Sequence, residues 1–133
     1  MNCSINLFAG WLCFLFGAIS GAHIGLRLHR EDWLGGYQSF RRRLLRLGHI
    51  AFFGLGFINI LFALSASAPG MRDAFTDLAS PLLVGGAATM PLVCFLSAWK
   101  PVFRHAFFIP VVLTAAGIVA FLLNWLPVEK IFR

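Results

Sequence analysis

The 133-residue chain is 59% hydrophobic and 12% charged, and its 11 Lys and Arg against 5 Asp and Glu leave a formal charge of +6. Soluble domains carry about 25% charged residues, and a single core of this size cannot hide so much apolar surface. An ordinary soluble enzyme, a disordered tail and a soluble nucleic-acid binder are thereby excluded, and the basic excess is read as facing lipid headgroups rather than nucleic acid.

Four apolar runs are each long enough to cross a hydrocarbon core of about 30 Å, which takes about 20 residues. The first, residues 5–26, holds no charge, and no basic segment precedes it, so it is expected to stay as a span rather than be removed as a leader. The second, 47–66, is interrupted only by His49 and Asn59. The third, 81–99, opens on Ser80-Pro81, a pairing suited to a helix start. Pro91 inside it removes a hydrogen bond and predicts a bend. The fourth, 106–126, is closed by Pro127. Lipid offers no partner to an unpaired amide, so the runs are helices, and the expectation is an all-α, four-transmembrane-helix bundle in a single membrane domain, 1–133.

The connections set the orientation. Arg27, Arg30, Arg41, Arg42, Arg43 and Arg46 lie between the first two spans, and Lys100 and Arg104 between the last two. The other side carries Arg72, Lys130 and Arg133, so eight of the 11 basic residues share one side. That side is expected to be cytoplasmic, with both termini outside, in an inner (cytoplasmic) membrane. The connection 27–46 interleaves those arginines with Trp33, Tyr37 and Phe40, the composition of a loop lying among headgroups, and Gly35-Gly36 predicts a turn in it. Arg27, Arg30, Trp33, Tyr37, Arg41, Arg42 and Arg43 are therefore candidates for contact with phospholipid or a partner. The opposite loop, 67–78, is short and mildly acidic through Asp73 and Asp77.

On the first span Gly10, Gly17, Gly21 and Gly25 fall on one face at 100° per residue. The Gly17, Gly21, Gly25 seam admits a close helix neighbour, either the chain's own second or fourth helix or a second copy. The histidines carry the chemical content. His23, His49 and His105 are each expected near the basic ends of three different spans, with His29 just beyond. Imidazoles from several helices at one depth can hold a metal or the iron of haem b, with His49 and His23 the foremost ligands and His105 a further one. Gly56, one face with His49, leaves room for a flat macrocycle beside Phe52 and Phe53, and Arg46, Arg43 or Arg104 can reach propionates. Met90 and Cys94 share a face as soft donors or plain core residues. Cys3, Cys13 and Cys94 show no paired spacing, so no disulfide framework is expected.

Every carboxylate (Glu31, Asp32, Asp73, Asp77, Glu129) falls outside the predicted spans, which argues against both buried acid–base catalysis and a proton pathway. The expected function is a small accessory subunit of a larger membrane complex, of the electron-transfer kind, without catalysis of its own. It would brace other membrane subunits, or copies of itself, and phospholipid. The alternatives are a redox subunit binding haem b or a metal near the cytoplasmic face, and a small oligomeric transporter or channel.

Overall fold

Four helices account for the chain's apolar runs in a computed structural model that describes residues 4–68 and 74–125: α1 (Ser4–Leu28), α2 (Phe40–Ala66), α3 (Ala74–Trp99) and α4 (Phe108–Trp125). Each is long and apolar enough to span a bilayer, the fourth together with the 3-10 stretch Pro101–Phe107 that leads into it. The protein is a multi-pass membrane four-helix bundle. Consecutive helices are the main neighbours, and α1 touches α3 only lightly.

Two helices start well before their apolar runs. α2 begins at Phe40, capped by the Ser39 side chain, which accepts from the Arg42 amide at 3.2 Å. Arg41, Arg42, Arg43 and Arg46 thus belong to a helix, not to the loop where hydropathy put them. α3 begins at Ala74, so Ser80 and Pro81 lie inside it rather than at its start. The reason is tertiary: Thr76, Ala79 and Ser80 are buried, and burial holds this segment helical although its hydropathy does not demand it. Pro91 sits buried in α3 without ending it, and Pro110 falls in the first turn of α4, where no amide hydrogen is needed. Asp73 and Pro127 lie outside the described residues.

The glycine seam of α1 is filled by α2. A Cβ added at Gly10 would stand 2.8 Å from the Gly56 carbonyl oxygen, and one at Gly56 would stand 3.0 Å from that of Gly10, so the two backbones cross in contact. Gly17 faces the Phe53 ring and Gly21 the His49 ring, whereas Gly25 meets nothing within 4 Å. The seam is therefore Gly10, Gly17 and Gly21, and Gly25 drops out of it because no neighbouring helix closes on its face. Gly10→Ala is expected to lose about 1–3 kcal/mol, since backbone cannot step aside as a rotamer can. Gly25→Ala is expected to be neutral or to gain up to about 1 kcal/mol from helix propensity. Detergent-unfolding midpoints of the two variants check the contrast.

A closed polar network ties three helices near the other end of the bundle. Asn6 donates to Asn59 Oδ1 at 2.8 Å and to the Ser80 carbonyl at 3.2 Å, while Ser80 Oγ donates to Asn6 Oδ1 at 2.6 Å. Asn59 donates in turn to the carbonyls of Leu55 (2.9 Å) and Leu83 (3.2 Å). All three side chains are buried, and every amide hydrogen in the network has an acceptor. Beside it Phe62, Ala63, Ala66, Ala79, Leu83 and Ala120 make a core shared by α2, α3 and α4.

Candidate functional site: a cavity at the basic end

Near the basic end, stripes from three helices converge on a cavity of about 720 Å³. α1 contributes Phe16, Ile19, Ser20, His23, Ile24 and Arg27, spaced three or four residues apart along one face. α2 contributes Arg41, Leu45 and Phe52, and α3 contributes Phe95, Ala98 and Trp99, each set again on one helical face. The light contact between α1 and α3 leaves the gap, and α2 backs it. The size lies within the range of about 300–1,000 Å³ usual for pockets that bind small ligands.

The cavity has a polarity gradient. Arg27, Arg41 and His23 gather toward the helix ends, while Phe16, Phe52 and Phe95 line the part deeper in the bundle. From Phe16 to Arg27 is 11 residues of α1, about 16 Å of helix. Half of a hydrocarbon core is about 15 Å, so the cavity is about as long as one leaflet is thick. Phe16, Ile19 and Trp99 at its edge are 47%, 57% and 79% exposed, so that wall is open to what surrounds the bundle.

The connection between α1 and α2 covers the polar end. Leu34, Gly35 and Gly36 all take positive φ (56°, 88° and 93°), which reverses the chain and delivers Trp33 and Leu34 to the cavity wall. The glycines adopt this backbone without strain; Leu34 does not. Arg42 holds the turn in place. Its guanidinium donates to the carbonyls of Trp33 (2.6 Å), Glu31 (3.2 Å) and Arg30, and lies 5.4 Å from the Trp33 ring centroid. At 2% exposure it serves the loop's carbonyls instead of the headgroups expected from its sequence context. The other arginines differ. Arg46 stacks on Tyr37 at 4.9 Å and donates to its hydroxyl at 3.3 Å, and Arg43 donates to Gln38 at 3.2 Å. Arg27, Arg30 and Arg41 stay exposed, and among the described residues their side chains have no ion-pair or hydrogen-bond partner. A second recess of about 320 Å³, lined by Leu26, Arg27, Arg30 and Trp33, adjoins the first across Arg27 and Trp33.

The histidines separate. His49 is half-buried between α1 and α2, with Nδ1 3.0 Å from the Gly17 carbonyl and 3.2 Å from Ser20 Oγ, and its ring edge-on to Phe53. The carbonyl contact assigns the proton to Nδ1, the tautomer that fits an interhelical bond. His23 looks into the cavity from α1, opposite the seam that receives His49. His29 is exposed beyond the end of α1, and His105 lies exposed in the 3-10 stretch with Arg104 Nε 3.5 Å from its Nε2. Among the described residues no three His, Cys, Asp or Glu side chains form a group able to hold a metal ion. Gly56 does not open space for a macrocycle, because the Phe14 ring and the Gly10 backbone fill its face. Cys94 and Cys13 are buried as core residues.

Sequence reasoning missed Ile19, Ile24, Leu45 and Phe95 as site residues. For the first three the signal was present as largely apolar stripes that include an arginine (16, 19, 20, 23, 24, 27 and 41, 45, 52), but such a stripe reads equally as lipid-facing surface, and Phe95 carried no such signal. Compared with known proteins, the chain matches no family model, and no curated protein or solved structure is significantly similar to it.

Proposed function

We propose that the protein is a small accessory subunit of a membrane complex that binds a membrane amphiphile in the cavity at its basic end. The observation that carries this reading is the cavity itself: about one leaflet long, apolar within, cationic at the rim and open to the lipid side. Such a shape suits a molecule with one charged end and a hydrocarbon body. By the bias of basic residues, this end faces the cytoplasm in an inner membrane and the termini lie outside. The protein carries no catalysis of its own on this reading, as among the described residues the carboxylates Glu31 and Asp32 stand in the connection after α1 and Asp77 in the first turn of α3. Bracing of other membrane subunits, of an electron-transfer assembly in particular, is the wider role that a pinned aromatic loop and a lipid-filled cleft would support.

A second reading has one observation in its favour. His23 shares the cavity with Arg27, Arg41 and flat aromatic walls, which fits haem b with one axial imidazole and two arginines for propionates. The two readings part in one experiment. Protein purified in mild detergent is expected to be colourless and to release phospholipid on organic extraction. A Soret band that vanishes in His23→Ala would overturn the amphiphile reading in favour of haem; absence of any retained lipid would overturn it outright.

A further inference from the structure

We infer that the occupant is an anionic phospholipid of the surrounding leaflet, with its phosphate seated in the recess between Arg27 and Arg30 and one acyl chain laid down the larger cavity. The inference rests on the amphiphile reading and adds the headgroup class and its seat.

The two spaces share Arg27 and Trp33 in their walls, which sets them side by side within the reach of one lipid molecule. Arg27 is the residue they share among the cations; Arg30 lines only the smaller recess and Arg41 only the larger. With no carboxylate or other acceptor on these side chains among the described residues, the three guanidinium groups line the two spaces without a counter-charge beside them. An arginine fork matches two oxygens of a phosphate, and the electrostatic gain is largest next to hydrocarbon, where water competes less. Nearby Glu31 and Asp32 are exposed, line neither space, and face none of these guanidinium groups within ion-pair distance. The Glu31 carbonyl is instead turned to Arg42. The acidic pair thus stays out of both walls, and the charged side chains that line the recess are cationic. A free phosphate would use the recess but not the apolar cavity, whereas an uncharged lipid would use the cavity but not the recess; only an anionic lipid uses both.

The full chain in detergent micelles is incubated with equal amounts of phosphatidylglycerol and phosphatidylcholine, and retained lipid is counted by native mass spectrometry. The wild type is expected to retain phosphatidylglycerol about tenfold over phosphatidylcholine, the value of one charge-assisted hydrogen bond. Arg27→Gln and Arg30→Gln are expected to bring that preference close to unity while phosphatidylcholine retention is unchanged. Leu45→Trp, which fills the larger cavity, is expected to lower retention of both lipids, and inorganic phosphate is expected to leave retained lipid unaltered. Melting in detergent verifies that each variant is folded. A tenfold preference that survives both arginine substitutions, or displacement of the lipid by inorganic phosphate, overturns the headgroup seat yet leaves the amphiphile reading standing. If the wild type and Leu45→Trp retain neither lipid, the amphiphile reading itself falls.

Discussion

Replacing Asn6 with leucine is expected to cost the bundle about 2–5 kcal/mol, from three lost hydrogen bonds of about 0.6–1.7 kcal/mol each in a membrane setting. Leucine keeps asparagine's branched skeleton, but its methyl groups are bulkier than the amide atoms, so at this fully buried site overpacking adds to the loss. Asn6 donates to Asn59 and to the Ser80 carbonyl and accepts from Ser80 Oγ. Without it the Asn59 Oδ1 and the Ser80 hydroxyl are left in a buried, apolar site. Ser80 can recover by bonding back to a carbonyl one turn earlier in α3, which pulls the loss toward the lower figure. Asn59 has no such relief for its oxygen. The double variant Asn6→Leu with Asn59→Leu should therefore lose less than the two single losses together, because each single change strands the partner of the other. Reversible unfolding of the four proteins in a denaturing-detergent titration measures this cycle. A single-variant loss under about 0.5 kcal/mol, the size of an ordinary surface change, would show that the network is incidental.

Arg42→Met is expected to release the loop between α1 and α2 by about 3 kcal/mol while the four helices remain. Charge-assisted hydrogen bonds are worth about 1.5–3 kcal/mol each. Three are lost here, to the carbonyls of Arg30, Glu31 and Trp33, but those carbonyls can be rehydrated once the loop lifts, so the whole is smaller than the sum. Methionine keeps the stem's packing and removes only the fork. Lysine is expected to rescue little, as a single ammonium cannot span carbonyls that the planar guanidinium bridges. Amide exchange across residues 30–36 is the direct measurement, and about 3 kcal/mol corresponds to roughly 100-fold faster exchange. Arg43→Met gives the control, since its one 3.2 Å bond to Gln38 is exposed and should matter by less than about 0.5 kcal/mol. Trp33 and Leu34 wall the cavity from this loop, so Arg42→Met should also raise the rate at which bound lipid exchanges. Unchanged amide exchange in the loop would remove Arg42 from the role given to it.

The difference between Arg42 and its neighbours illustrates what a sequence withholds. Arg41, Arg42 and Arg43 are consecutive and look alike as a basic cluster. On a helix they point 100° apart, so one lines the cavity, one is buried under the loop and one is exposed. Register decides among them, and register was hidden because α2 starts at Phe40, before the apolar run that hydropathy can see. Asn6 was hidden for a related reason: one amide near the start of an apolar run changes its hydropathy little, and its value lies wholly in Asn59 and Ser80, 53 and 74 residues away. His49 and His23 share a depth along the bundle but not a side, which separates a pair that linear spacing put together.

Composition and the spacing of apolar runs were enough to decide that the chain is helical and crosses a membrane four times, because in hydrocarbon an apolar run of about 20 residues satisfies its own amides as a helix. The α1 glycine face was likewise written in the residues, as the absence of a side chain is a local property. Which helix fills that face, which arginine is spent on backbone carbonyls, and where a gap remains between α1 and α3 depended on how the helices rotate and cross. Those choices are made by contacts between residues far apart in the chain, and a cavity is the space such contacts leave over, so no stretch of sequence encodes it alone.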